Sequence, residues 1–344
     1  MNIPIQNVYY MLAYAYNHFQ DGLFDFVGAE EANTPQEYLA LVLSRGTAYL
    51  LRRGIDKVYR EQAEYLSVIR GRVNFQKYSR EYNYKNPSIP CLYDELSVDS
   101  LHNQILYNSL YNLINTSGID SKIKDEIIKT YKRFPPATML KIRSEHFSQV
   151  KIHRNNYYYK FLIGICRLIF ENLLPDKNLQ AIYSMKDFRK DGAIMHKLFE
   201  EFIYFFFKFN LQGEKVHRPE VPWGLNNREV RNIKMLPRMK TDIVIERDDE
   251  VCIIDAKYYS KPLNQNGKFH SSNLYQINSY VQNTSYNRPQ KKVKGMLIYA
   301  SVGENFKFEY NILGHSISVV TLDLNVSWDK IKEQLYSLKS QFFL

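Results

Sequence analysis

The hydrophobic positions of this chain change period along its length, and each change predicts an element. From Gln6 to Phe19 the apolar residues Val8, Met11, Leu12, Ala15 and Phe19 recur at helical spacing, with tyrosines between them. Thr34 supplies an N-cap, Pro35 a first helical position and Glu37 the acid three residues after the cap. A second helix is therefore expected to run to Arg53 and stop at Gly54. Between Val58 and Phe75 the pattern shifts toward strands, and Arg70, Gly71 and Arg72 mark a bulge, a contact loop or a solvated turn. Residues Asn86 to Pro90 read as loop, and helices follow from about Asp99 to Thr116 and from Ser121 to Phe134, the second ended by Pro135 and Pro136.

In the second half, Met195, Leu198, Phe199, Phe202, Phe205, Phe206 and Phe209 predict a strongly amphipathic helix from about Ala193 to Asn210. The stretch TDIVIERDDEVCIIDAK, Thr241 to Lys257, then alternates β-branched and polar positions on either side of the turn Arg247 to Glu250. If Glu246 pairs with Val251, the same register brings Asp242 opposite Asp255, with Lys257 projecting on the side of Asp255. Ile243, Ile245, Cys252, Ile254 and Ala256 form a wholly apolar opposite face, against which the amphipathic helix is expected to pack. A loop at Asn264 to Lys268 leads to a helix that carries Gln276 and Tyr280 on one side. A basic turn, Arg288 to Lys294, precedes the strand Gly295 to Ala300, and strands near Phe306 to Ile312 and Ser316 to Asp323 and a helix from about Ser327 complete an α/β order.

Composition narrows the function classes. The chain has 344 residues, long enough for two domains, and a formal net charge of +10 that suits a polyanionic partner such as nucleic acid. Cys91, Cys166 and Cys252 have neither the spacing of a zinc site nor that of a disulfide framework, so a reducing cytoplasm is expected. The first residues show no signal-peptide pattern and no stretch is long and apolar enough to suggest a membrane span. No GxxxxGK[ST] motif occurs, so nucleotide hydrolysis is expected of a partner and not of this chain. The basic, tyrosine-rich segment Val150 to Lys160 marks the expected boundary near Asn155, between residues 1–155 and 156–344. Its tyrosines suit either packing or stacking on bases.

Two carboxylates on facing strands repel unless something compensates them. A divalent cation with oxygen preference does so while keeping water for a phosphate substrate. Asp242, Asp255 and Lys257 therefore suggest a Mg²⁺ site with an amine beside it, although the same pattern also suits a surface ion pair. Glu200, on the preceding helix, is either a further acid at that site or a solvent-exposed one.

An acid, then acid-x-Lys on the next strand, resembles the signature of PD-(D/E)xK nucleases, and Gln276 with Tyr280 resembles the Q-x-x-x-Y of their RecB-like branch. Over nearly the whole length the chain is similar to the McrC family, the endonuclease subunits of McrBC-type modification-dependent restriction systems. The likeness rests on IPIQNVYYMLAYAY, IRGRVNF, LYDELSVDSLHNQIL, LPRMKTDIVIE, IIDAKYY and KFHSSNLYQINSY in that order, while Asp21 to Asn33 matches no pattern. The resemblance implies an α/β fold, with an α+β amino-terminal module at 1–155 that contacts a partner ring and an αβββαβ endonuclease domain at 156–344. It implies catalytic Asp242, Asp255 and Lys257, Mg²⁺ held by both acids and the Ala256 carbonyl, and accessory Glu200, Gln276 and Tyr280. It also implies an McrB-like AAA+ GTPase hexamer as the partner that binds GTP, and double-stranded DNA with modified cytosine as substrate. A stand-alone RecB-like repair nuclease and a non-enzymatic GTPase-activating subunit are the alternatives.

Overall fold

The computed structural model describes residues 3–15, 32–81, 88–153, 156–175, 183–225, 233–259 and 261–342. Two compact units emerge: Met1–Phe24 with Asp187–Leu344, and Asp25–Lys186. The expected end of the first helix at Phe19 and the boundary residue Asn155 lie outside the described residues, as does most of Asp21 to Asn33.

Helix α1 (Ile5–Ala15) opens the first unit and buries Val8, Met11, Leu12 and Tyr14. The second unit is built on α2 (Pro35–Arg53), whose start follows the expected capping logic. Thr34 Oγ1 accepts from Glu37 N at 3.3 Å, and Glu37 Oε2 accepts from Thr34 N at 3.1 Å. The helix stops at Gly54, where φ is +96°, a value that favours glycine.

Strands β1 (Val58–Leu66) and β2 (Arg72–Val73), helix α3 (Phe75–Glu81) and strand β3 (Ile89–Ser97) follow, and the strands pair antiparallel in the order β1-β3-β2. At the Arg-Gly-Arg turn, Gly71 has φ +71° and a side chain there would collide with the Leu92 carbonyl. The Arg70 guanidinium lies 4.0 Å over the Tyr93 ring and 3.6 Å from Glu95, so the segment is a contact turn.

Helices α4 (Leu101–Ile114), α5 (Ser121–Arg133), α6 (Ser144–Gln149) and α7 (Tyr159–Asn172) and strands β4 (Leu173–Pro175) and β5 (Tyr183–Met185) complete this unit. The apolar α7 lies against α2 and α4, with Gly46 of α2 giving close passage to Leu162. The compact units therefore do not divide near residue 155. The run Phe161 to Ile165 is buried among the helices of the second unit.

The first unit resumes with α8 (Gly192–Asn210), then β6 (Lys215–His217), β7 (Glu220–Val221), β8 (Met239–Lys240), β9 (Ile243–Arg247) and β10 (Glu250–Lys257). After these come α9 (Ser271–Asn287), β11 (Lys292–Ser301), β12 (Lys307–Ile312), β13 (His315–Asp323) and α10 (Trp328–Phe342). Six strands form one sheet in the order β12-β13-β11-β10-β9-β6. Strands β10, β11 and β13 run parallel at its centre, with antiparallel pairs outside them.

Glu246 pairs with Val251 and Ile243 with Ile254, the register expected from the alternation. On one face Ile243, Ile245, Cys252, Ile254 and Ala256 are buried, and α8 packs on β10. On the other, Val244, Val251 and Ile253 meet Ile277 and Val281 of α9. Both faces of the central strands are thus covered, as parallel strands require.

The tyrosine-rich α1 is part of this core. Its Tyr14 ring lies 5.7 Å from Phe202 and 5.4 Å from Phe206 of α8, and Tyr10 stacks on Trp328 at 4.5 Å. Asn7 Nδ2 donates to the Leu324 and Val326 carbonyls at 2.9 and 2.7 Å, fixing α1 to the segment before α10. No helix among the described residues is long and apolar enough to cross a membrane.

Tyr14 is 1% exposed, and Tyr14→Ala should leave a large unfilled volume in this unit. We expect it to cost about 3–5 kcal/mol in denaturant unfolding. A loss well under 1 kcal/mol would mean that α1 is dispensable to the unit.

Candidate active site

Three chain segments meet at the C-terminal end of β10. The β9–β10 ladder ends at Ile243 and Ile254, and Asp242 lies one residue beyond it. Asp242 does not simply face Asp255 across the ladder: its Oδ2 accepts from Ala256 N at 3.0 Å. The backbone of the second strand thereby locks the first carboxylate in place. Asp255 is 0% exposed, and Lys257 Nζ stands 2.7 Å from its Oδ2. Neither Asp255 oxygen has a hydrogen-bond partner among the described residues, so Oδ2 is met by the Lys257 charge alone and Oδ1 is left open. A carboxylate taken wholly out of water with an oxygen left open is costly, which is the condition a cation relieves.

The electrostatics follow from that burial. Burial first, then the Asp242 charge, push Asp255 up to about 7 against the pull of Lys257. Burial works against the Lys257 ammonium as well, but Asp255, then Asp242 and Tyr259, outweigh it and the pKa is raised. Lys257 therefore carries its charge at neutral pH.

Helix α9 fixes that ammonium from above. Lys257 Nζ donates to Gln276 Oε1 at 3.1 Å, Gln276 Nε2 donates to Tyr280 OH at 2.9 Å, and Tyr280 OH donates to the Lys240 carbonyl at 2.7 Å. The i, i+4 pair seen in the sequence thus forms a chain of hydrogen bonds from the lysine to the strand preceding Asp242. A second chain runs beside it: Tyr259 OH donates to Asn273 Oδ1 at 3.2 Å, and Asn273 Nδ2 donates to Tyr299 OH at 2.9 Å.

From below, α8 brings Glu200 to the same charges. Burial, and after it Asp242, push Glu200 up to about 7, partly offset by Arg218 and Lys257. The half-buried Glu200 thus belongs to the cluster's field, so the solvent-exposed alternative does not describe it.

Two residues escaped the sequence reading. His196, one turn before Glu200, is pushed down by burial and by the Lys257 ammonium and pulled up in part by Asp242. Its i, i+4 spacing from Glu200 was the available signal. Arg218 is the other. Its Nε donates to the Asp242 carbonyl at 2.8 Å, its Nη1 to Glu201 Oε1 at 2.6 Å, and its guanidinium covers the Tyr204 ring at 4.0 Å. It ties α8 to the residue that carries the first acid.

Among the described residues no three His, Cys, Asp or Glu side chains converge so as to hold a metal by themselves. Asp242 and Asp255 supply two carboxylates, a donor set that suits Mg²⁺, which keeps several waters, better than zinc.

Acids whose pKa rises on folding stabilise the fold fully below their unfolded value of about 4 and lose that contribution as pH climbs through the folded value. With Asp255 and Glu200 both pushed up to about 7, the chain in EDTA should lose stability from pH 5 to pH 8. Asp255→Asn should flatten the loss. Thermal unfolding across that range checks this, and an unchanged slope in the variant counts against the buried-acid account.

Comparison with known proteins adds a family to this geometry. The model of the family described as McrBC 5-methylcytosine restriction system component matches residues 6–300. A type IV methyl-directed restriction enzyme of Escherichia coli strain K12, EcoKMcrBC, is 31% identical over 345 residues, covering 99% of this chain and 98% of the relative. Among solved structures, a chain of the half-complex from the tetradecameric assembly of Thermococcus gammatolerans McrB AAA+ hexamers with bound McrC shares the fold. The TM-score is 0.60 at 19% identity, over 98% of this chain and 76% of that one.

Proposed function

We propose that this chain, which belongs to the family of McrBC 5-methylcytosine restriction system components, is the Mg²⁺-dependent DNA endonuclease subunit of such a system. The observation that carries the reading is the convergence of Asp242, the fully buried Asp255 and Lys257 at one strand end, with an Asp255 oxygen left open. A relative that matches end to end and is named as a methyl-directed restriction enzyme supports modified DNA as the substrate.

Asp242, Asp255 and the Ala256 carbonyl would hold the ion. Bound there, Mg²⁺ would supply polarisation of the scissile phosphate and a lowered pKa for the attacking water. The chain's own residues do the rest. Ala256 N–H holds the Asp242 carboxylate in line, and Arg218 holds its backbone. Lys257, charged at neutral pH and aimed by Gln276 and Asp255, faces the phosphate as a fixed positive charge that offsets charge in the transition state. That role suits its raised pKa better than proton abstraction does. Glu200 and His196, whose pKa values move in opposite directions, flank the acids from α8 as accessory groups.

An McrB-like AAA+ GTPase ring is the proposed partner. It would bind GTP, select modified cytosine and drive DNA to the nuclease, while this chain would stimulate its GTP hydrolysis. The surface offered to the ring is the β1-β3-β2 sheet and its turns, where Tyr59 (73%), Val68 (74%), Ile69 (59%) and Phe75 (73%) are exposed. Large apolar side chains exposed on β1, on the turn that follows it and at the start of α3 mark this module as an interaction surface.

Methylated plasmid should be cut only with Mg²⁺, partner and GTP together, and Asp255→Asn should abolish cutting while GTPase stimulation persists. Cutting by the chain alone would point to a repair nuclease, and stimulation without cutting by the unaltered chain to a regulator. Conversely, Val68→Asp with Ile69→Asp should weaken association with the ring, read by size-exclusion chromatography and GTP turnover, without altering the stability of the chain. Undiminished stimulation in that variant would place the contact elsewhere.

A further inference from the structure

An aromatic series leaves the acid and lysine cluster and ends on an open sheet edge. Tyr299 is the β11 register partner of Lys257, and the Tyr259 ring lies 6.1 Å from it. His270 stacks on Tyr259 at 4.5 Å with ring planes 26° apart. The next ring along the chain, Phe269, lies 5.8, 6.0 and 6.3 Å from Phe306, Phe308 and Tyr310. Alternate residues of a strand share a face, so Phe306, Phe308 and Tyr310 form a stripe, with neighbouring rings 5.4 and 6.5 Å apart. Tyr259, Phe269 and Phe306 pack against the same core cluster as α9, which places the series on the sheet face that carries Lys257.

Phe308 is 46% and Tyr310 41% exposed, on the strand that ends the sheet. The loop from β10 to α9 adds exposed Lys261 and Lys268 beside the series. Glu309, the acid of the strand, points to the other face and accepts from Ser316 Oγ at 2.6 Å.

We infer that this stripe is a stacking subsite for an unpaired segment of the DNA strand being cut. The inference rests on the nuclease reading above and extends it to the form of the substrate. Rings spaced to receive successive bases, lysines to follow the backbone and continuity with the catalytic lysine are the makings of a single-strand track. A duplex offers no free base faces along its length, so the stripe discriminates for opened DNA.

The test uses the full chain in EDTA and fluorescein-labelled single-stranded and duplex oligonucleotides of equal length, with anisotropy as readout. Phe308→Ser with Tyr310→Ser should weaken single-strand binding at least about tenfold. Duplex binding should stay unchanged, and the far-UV circular dichroism of the variant should show that it is folded. Lys268→Glu, on an exposed loop, should weaken single-strand binding without touching the rings. Single-strand binding unchanged in both variants would overturn the inference. So would a sedimentation result in which the unaltered chain is a dimer and the serine variant a monomer with full DNA binding, since the stripe would then be a contact between copies. Because binding is read without metal, failure of the unaltered chain to cut methylated DNA with Mg²⁺, partner and GTP together would sink the nuclease reading separately.

Discussion

A carboxylate with no exposure to water, on the central strand of the sheet, is the constraint to which the first unit answers. Asp255 sits between two packed layers, and charge in such a place is tolerated only when its neighbours are fixed within hydrogen-bond reach. Lys257 satisfies one oxygen, and Gln276 and Tyr280 hold Lys257 to the backbone before Asp242. On the far side Arg218 holds Asp242 to α8. The helices above and below the sheet therefore serve two purposes at once. They cover its apolar faces, and they carry the polar groups that make one buried acid acceptable.

The same arrangement explains which features were legible in the sequence. The hairpin register followed from period-two alternation and a polar turn, both local signals, and the structure keeps it to the last pair before Asp242. The Thr34 capping box and the Gly54 stop are local in the same sense. Gln276 and Tyr280 were visible because four residues on a helix put two side chains on one side. Arg218 was not, since its partners lie 17 to 24 residues away on two other elements. No period connects them. Glu200 could be placed on a helix but not in a field, because its raised pKa depends on Asp242 arriving from a different strand.

The division of the chain shows the limit of reading composition shifts as boundaries. A basic and aromatic stretch before an apolar run resembles a linker before a new core, yet α7 joins the helices that precede it. Amphipathic helices announce that they will be buried and leave open which partner buries them. The tyrosines of α1 were ambiguous for the same reason, and their partners turn out to be the phenylalanines of α8 and Trp328.

That α1 belongs with residues near the other end of the chain has a consequence for synthesis. Chains leave the ribosome amino end first and fold as their contacts become available. Helix α1 appears at once, but Phe202, Phe206, Leu324 and Trp328 do not exist until residues 25–186 have been made. Contacts of such long sequence separation form late and slowly. The core that supports Asp242, Asp255 and Lys257 is then closed last, so a nascent or truncated chain lacks the finished acid and lysine cluster while its intervening unit is already complete in sequence.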